Sequence, residues 1–201
     1  MKPSALAAAL LASAAFSPLA VHAQSQTIQF AMVQTAGTNC PGFTPSATVT
    51  DHTFGEFENL EVVVKGLPPN TGFDLFSIQV PHAKFGLAWY IGDIVTDSTG
   101  TGVGNFVGRF NRETFIVSLA ALPSPNIFHS PPAVLPQSTT GAQVNPVQIY
   151  HLGLWFNSPS DAGKFCGNST PTPFNGEHNA GIQILNTSKF ADNAGPLLGL
   201  Q

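Results

Sequence analysis

The chain reads as an all-β protein, an antiparallel β-sandwich that carries two long loops. Three observations predict this. From residue 27 to residue 119 apolar positions recur mostly at every second residue, the period of half-buried strands. The runs that alternate are short, and clusters of Gly, Pro, Asn and Asp separate them. Charged residues make up only 9% of the chain, whereas Phe numbers 16, Gly 19 and Pro 17. A disordered chain would be charged and poor in aromatics, so this composition belongs to an ordered β domain.

Residues 1–23 have the three parts of an export signal. Lys2 supplies an early cation, an apolar run extends from Ala5 to Phe16, and Val21-His22-Ala23 gives a small-x-small site before Gln24. Ser13, Ser17 and Pro18 interrupt a run already short for a membrane span. Cleavage is therefore expected, leaving a secreted or periplasmic protein with no membrane insertion. Residues 24–201 then form one domain, long enough to bury a sizeable core. The formal net charge of −4 becomes −5 once Lys2 is lost, and no run of Lys or Arg exists to neutralise phosphates. Nucleic acid and anionic membrane surfaces are thus excluded as expected partners.

In chain order, residues 27–34 are the first strand, with Ile28, Phe30 and Met32 on one face. Residues 35–46, holding Gly37, Cys40, Pro41, Gly42 and Pro45, are a loop, and the Thr- and Val-rich run 47–53 is a short strand. In the strand 57–65, Leu60, Val62 and Val64 oppose Glu61, Val63 and Lys65, so the charged face looks at water. Residues 66–72 contain two prolines and two glycines and cannot continue a sheet. Residues 73–80 are apolar on both faces, which predicts a central strand, and residues 86–96 follow with Trp89 and Tyr90 on opposite faces. Asp97-Ser98-Thr99-Gly100 is a turn tetrad, because Asp bonds the backbone ahead and Gly tolerates a positive φ; it is expected to close a hairpin to residues 101–110. Gly102, Gly104 and Gly108 share a face with Phe106 and Phe110 and leave room for neighbouring rings. Residues 112–119 complete a meander begun at Leu60.

The five prolines Pro123, Pro125, Pro131, Pro132 and Pro136 make residues 120–145 a long extended loop. Residues 147–156 are the most apolar run and read as a buried strand. Residues 157–178 are the second long loop, with a helical turn at 160–165. Residues 179–187 are the last strand and 188–201 a weakly ordered tail.

One short segment also resembles a known family. Leu67-Pro68-Pro69-Asn70-Thr71-Gly72-Phe73 is similar to the corner of fibronectin type III and related immunoglobulin-like sandwiches, where Leu-x-Pro-x-Thr-x-Tyr crosses from one sheet to the other. Phe73 stands at the tyrosine position, so the resemblance implies the packing role of that ring without its hydrogen bond. It implies an architecture and no activity. The longer stretch around it is similar to secreted bacterial proteins.

The two cysteines, Cys40 and Cys166, are expected to pair in an oxidising compartment. For catalysis the best group is Thr172-Pro173-Phe174-Asn175-Gly176-Glu177-His178-Asn179, where the acid Glu177 adjoins the base His178 and Asp161 lies upstream. Asn175-Gly176 by itself also explains this stretch as a turn fastened by hydrogen bonds. The histidines of the mature chain, His52, His82, His129, His151 and His178, form no H-x-H or H-x-x-x-H pair, so no metal site and no cofactor are expected. Asp51, Asp93 and Asp97 are oxygen donors of the kind calcium takes, although a hairpin turn already explains Asp97. There is no G-x-S-x-G elbow. Trp89, Tyr90 and Trp155 are the rings from which a glycan platform would be built. The expectation is a secreted, non-enzymatic module that binds a glycan, a protein or a surface through Asn175, Glu177, His178, Trp89 and Tyr90; the alternative is a secreted hydrolase or lyase using Glu177 and His178.

Overall fold

Strand alternation decides which side of this sheet is buried. Strand β1 (Thr27–Gln34) turns Phe30 and Met32 inward, β2 (Ser46–Phe54) turns Ala47, Val49, Asp51 and Thr53 inward, and β3 (Phe57–Lys65) turns Glu58, Leu60, Val62 and Val64 inward. The computed structural model describes residues 25–82, 85–113, 146–173 and 178–200. The leader expected at 1–23 and the loop expected at 120–145 lie outside the described residues, as does all but the start of the strand expected at 112–119.

The remaining elements are β4 (Gly72–Ile78), β5 (Ala88–Val95), β6 (Gly102–Gly108), β7 (Arg112–Glu113), β8 (Val147–Gln148), β9 (His151–Phe156), α1 (Pro159–Cys166), β10 (Gln183–Asn186) and a 3-10 turn at Pro196–Gly199. Eight strands form one antiparallel sheet in the order β5-β4-β9-β10-β1-β2-β3-β6, and β7 and β8 form a separate ribbon. The protein is therefore all-β and antiparallel, as its alternation predicts. Hydrogen bonding joins the eight strands into one continuous sheet that curls into a near-barrel, and it does not divide them into two sheets.

The meander expected from Leu60 onward is not the order found. Strand β3 pairs with β2 and β6, while β4 pairs with β5 and β9, so consecutive strands lie near opposite ends of the sheet. The cause is the segment 66–71, which crosses the end of the near-barrel. Leu67 N donates to Gly100 O (3.2 Å), Thr96 Oγ1 donates to Pro68 O (2.6 Å), and Asn70 N donates to Asp97 O (3.1 Å). Leu67 and Phe73 at its two ends are both buried, and the Phe73 ring packs 5.0 Å from Phe156. The crossing therefore packs as the corner resemblance implies, in a different sheet arrangement.

Asp97 closes the expected turn, its Oδ1 accepting from Thr99 N, Thr99 Oγ1 and Thr101 N. The strands that leave this turn nevertheless splay. Each pairs on its other side, β5 with β4 and β6 with β3, and the Phe106 ring fills the seam between them. A Cβ at Gly92 would stand 2.5 Å from that ring, and one at Gly104 also 2.5 Å. The glycines of β6 do make room for rings, as the sequence predicts, and the ring at the seam keeps β5 and β6 from forming a ladder.

The helical turn predicted at 160–165 is α1. Ser158 caps it, its Oγ accepting from Asp161 N (3.1 Å) and donating to Asp161 Oδ2 (3.0 Å), and Pro159 is preorganised at the first turn. Gly167 ends it with a left-handed φ of 68°. Cys166 at its last turn is bonded to Cys40 in the β1–β2 loop, so the expected disulfide is present and holds α1 against that loop. The apolar run 147–156 is broken into β8 and β9, and β10 covers only four residues of the expected 179–187 strand. Residues 188–200, expected as a weakly ordered tail, are docked instead. Leu197 and Leu200 are buried in the main core, Leu197 N donates to Tyr150 O, and Asn111 Nδ2 donates to Leu200 O (2.8 Å).

Candidate functional site

All six residues of β9 are buried, which requires that both faces of the strand be covered. The inner face, Leu152, Leu154 and Phe156, belongs to the main core. The outer face carries Trp155, which with Ile78 and Ala180 forms a second apolar cluster flanked by Phe76 and Phe85. Phe85 and Phe76 meet Trp155 edge-on at 5.0 and 5.3 Å. Thr172 and Ala180 form an isolated antiparallel bridge, with Thr172 N donating to Ala180 O (2.7 Å).

Register places four side chains in one row across the outside of the sheet. Asp93 on β5 is opposite Asp74 on β4, Asp74 is opposite Trp155 on β9, and Trp155 is opposite Gln183 on β10. Asp74 is buried although its partner Asp93 is exposed. Asp74 Oδ1 accepts from Asn157 Nδ2 (2.9 Å), while Oδ2 receives no hydrogen bond and faces His178 Nε2 at 3.8 Å. Burial, and next the charge of Asp93, push the Asp74 carboxyl up to about 6, against the opposing influence of Asn157 and His178. Tyr90 donates its hydroxyl to Asp93 Oδ1 (2.5 Å), and burial followed by that bond raises the phenol above its ordinary value.

Beyond Trp155 the row opens into a groove of about 610 Å³, lined among others by Thr38, Asn39, Phe85, Trp155, Asn168 and Gln183. Among the described residues its lining contains hydroxyls, amides, two rings, one histidine, His82, and the apolar Ala36 and Ile182, with no Lys, Arg, Asp or Glu. Gln183 Oε1 accepts from Thr35 Oγ1 (3.1 Å) and Asn186 Nδ2 (2.9 Å), while its Nε2 is buried without an acceptor.

The residues singled out from sequence are distributed as follows. His178 joins the site through Asp74, whereas Asn175 and Glu177 lie outside the described residues. Asp161 is held by the α1 cap. Trp89 is opposite Ser77 and Tyr90 opposite Phe76, so the two rings leave opposite faces of β5 and do not make one platform. Trp89 is half exposed, while Trp155 is buried under Phe85. Asp74 was not apparent from sequence. Its signal was an acid flanked by Phe73 and Leu75 in a strand that is otherwise apolar on both faces. No protein-family model, no curated protein and no solved structure matches this chain. What fold and site define is an antiparallel near-barrel with a groove on its outer face, lined by amides, hydroxyls and apolar side chains beside Phe85.

Proposed function

We propose that the chain is a secreted or periplasmic, non-enzymatic binding protein that takes a glycan in the outer-face groove. The observation that carries this is the described lining of that groove, amides and hydroxyls beside the half-buried ring of Phe85. Sugar hydroxyls donate and accept together, which amides and hydroxyls match, and the C–H face of a sugar ring packs on an aromatic side chain. Export is supported by the leader pattern at 1–23 and by the Cys40–Cys166 bridge. The immunoglobulin-like relation rests on the 67–73 corner alone and adds nothing to the ligand assignment. The test is calorimetric titration and pull-down against a panel of soluble oligosaccharides and insoluble polysaccharides. The Asn39→Ala/Asn168→Ala double variant, changed at two exposed groove residues, should bind several-fold more weakly by the loss of about one or two net hydrogen bonds, with its melting unchanged. Absence of binding across the panel, or full binding by the double variant, would overturn the reading.

A second reading, a hydrolase or lyase using Glu177 and His178, is favoured by the approach of His178 to the buried acid Asp74. A screen against esters, glycosides and peptides decides it. Turnover that disappears in Asp74→Asn while sugar binding persists would replace the binding assignment.

A further inference from the structure

The second apolar cluster on the outer face is not packed solid. Phe85 and Phe76 stand nearly perpendicular to the Trp155 ring, at 87° and 77°, and rings held edge-on against another leave wedges of space between them. A bulky side chain would fill that space, but the residues that border it are Ala88, Ala180 and Pro173. The result is an apolar niche of about 60 Å³, room for roughly four groups the size of a water molecule at ~15 Å³ each. Close-packed interiors rarely leave a void of this size. Thr172 brings the one polar side chain among the described residues of the niche, and its hydroxyl makes no hydrogen bond among the described residues. Thr172, Phe85 and Trp155 also line the groove, so the niche adjoins the groove along shared walls. The bond from Thr172 N to Ala180 O holds the Thr172 wall in place.

We propose that this niche holds the acyl amide of an N-acetylated amino sugar whose ring occupies the groove. An acetamido group, which is a nitrogen, a carbonyl and one methyl, matches the volume of the niche. Its methyl meets Phe76, Phe85 and Trp155, where apolar surface is favourably removed from water. Its amide meets the Thr172 hydroxyl, which can donate to the carbonyl or accept from the N–H. The rest of the sugar keeps to the polar side chains of the groove, Thr38, Asn39 and Asn168 among them. Among the described residues neither lining holds a carboxylate, so the unacylated ammonium would lose water without gaining a charged partner. This inference rests on the glycan reading and sharpens it from any sugar to one that carries a short acyl amide.

The test is calorimetric titration of the protein with oligomers of one length and linkage, built from glucose, from N-acetylglucosamine and from N-butanoylglucosamine. The N-acetylated oligomer should bind roughly tenfold tighter than the glucose oligomer, the combined effect of one buried methyl and one hydrogen bond. The N-butanoyl oligomer should lose that advantage, because its longer chain exceeds the niche. Ala88→Leu, which adds carbon from an exposed rim position, should bring the N-acetyl and glucose affinities within about twofold of each other without lowering the melting temperature. Thr172→Val should cut the advantage by about threefold through the loss of one hydrogen bond. Equal affinities for the N-acetyl and glucose oligomers, an affinity that keeps rising with acyl length, or a preference that survives Ala88→Leu overturns the niche while the glycan reading stands. If no sugar oligomer binds, the glycan reading itself is wrong and the niche assignment falls with it.

Discussion

Replacing Asp51 with Asn should make the protein more stable, and more so as the pH rises. Asp51 is on the inward face of β2, opposite Ile28 and Leu60, with no solvent exposure. Neither of its carboxylate oxygens has a hydrogen-bond partner. The nearby acid Glu58 is better supported, because its Oε2 accepts from Phe110 N (2.6 Å). Burial, and next the charge of Glu58, push Asp51 up from 3.8 to about 7. The sign follows from proton binding. Between those two values the unfolded chain has released its proton and the folded chain has kept it, so stability is lost steadily as pH rises from the lower value to the upper. A shift of about three units corresponds to roughly 4 kcal/mol of destabilisation above pH 7, of which about 2 kcal/mol develops between pH 5 and pH 7. Asn carries no charge to desolvate. Urea denaturation of the native protein and of Asp51→Asn at about pH 5 and about pH 8 should therefore show the stability difference growing by about 3 kcal/mol, or roughly 6–12 °C in melting temperature for a domain of this size. A difference that stays constant with pH, or a variant less stable than the native protein at pH 8, would refute the assignment of a strained interior acid.

Two further outcomes are expected. Without reductant the folded protein should take up no alkylating agent and after reduction two equivalents; Cys166→Ser should lower stability by about 5 kcal/mol on the chain-entropy model, because the bridge spans a sequence separation of 126 residues. His151 is fully buried between Thr187 Oγ1 (2.8 Å) and Asp192 O (3.1 Å), and burial lowers its pKa, so the unfolded chain takes up a proton as pH falls through about 6.5 while the folded one does not. Stability is lost on that acid side, and His151→Gln should gain stability relative to the native protein on going from about pH 7 to about pH 5, read from urea midpoints.

How much was legible in the sequence depended on whether a feature was local. Strands β1, β2 and β3 were legible because Phe30, Val49 and Val62 recur at the period of a pleat, and the Asp97 turn because a side chain and a glycine suffice to make it. The partners of those strands were not. Alternation states which face is buried and is silent about neighbours, so the separation of β3 from β4 to opposite ends of the sheet became visible only with the crossing at 66–71 in place. The same limit hid the site. In β4 the apolar residues Phe73, Leu75, Phe76 and Ile78 dominate the pattern, and Asp74 becomes a functional candidate only because register sets it beside Asp93 and Trp155. Leu197 and Leu200 follow a stretch rich in Gly, Asn and Ser that reads as tail, and they are core because Tyr150 and Asn111 provide backbone and side-chain anchors far away in sequence.

Among the described residues two carboxyl pairs contain a buried acid, Asp51 with Glu58 and Asp74 with Asp93, and they differ in how close they lie to solvent. Both acids are raised, and for the same leading cause, so the titration behaviour does not separate them. Access does. Asp51 and Glu58 are both buried, on strands β2 and β3 whose neighbours on that face are Val49, Leu60 and Val62, and a ligand would have to breach the core to reach them. Asp93 is exposed, and His178 beside Asp74 is 43% exposed. A buried acid without a route to solvent can act only on stability and its pH dependence, while Asp74 has exposed neighbours in Asp93 and His178. Asp51→Asn should therefore alter stability and leave binding in the groove alone, whereas the Asn39→Ala/Asn168→Ala variant should weaken binding in the groove and leave stability nearly alone.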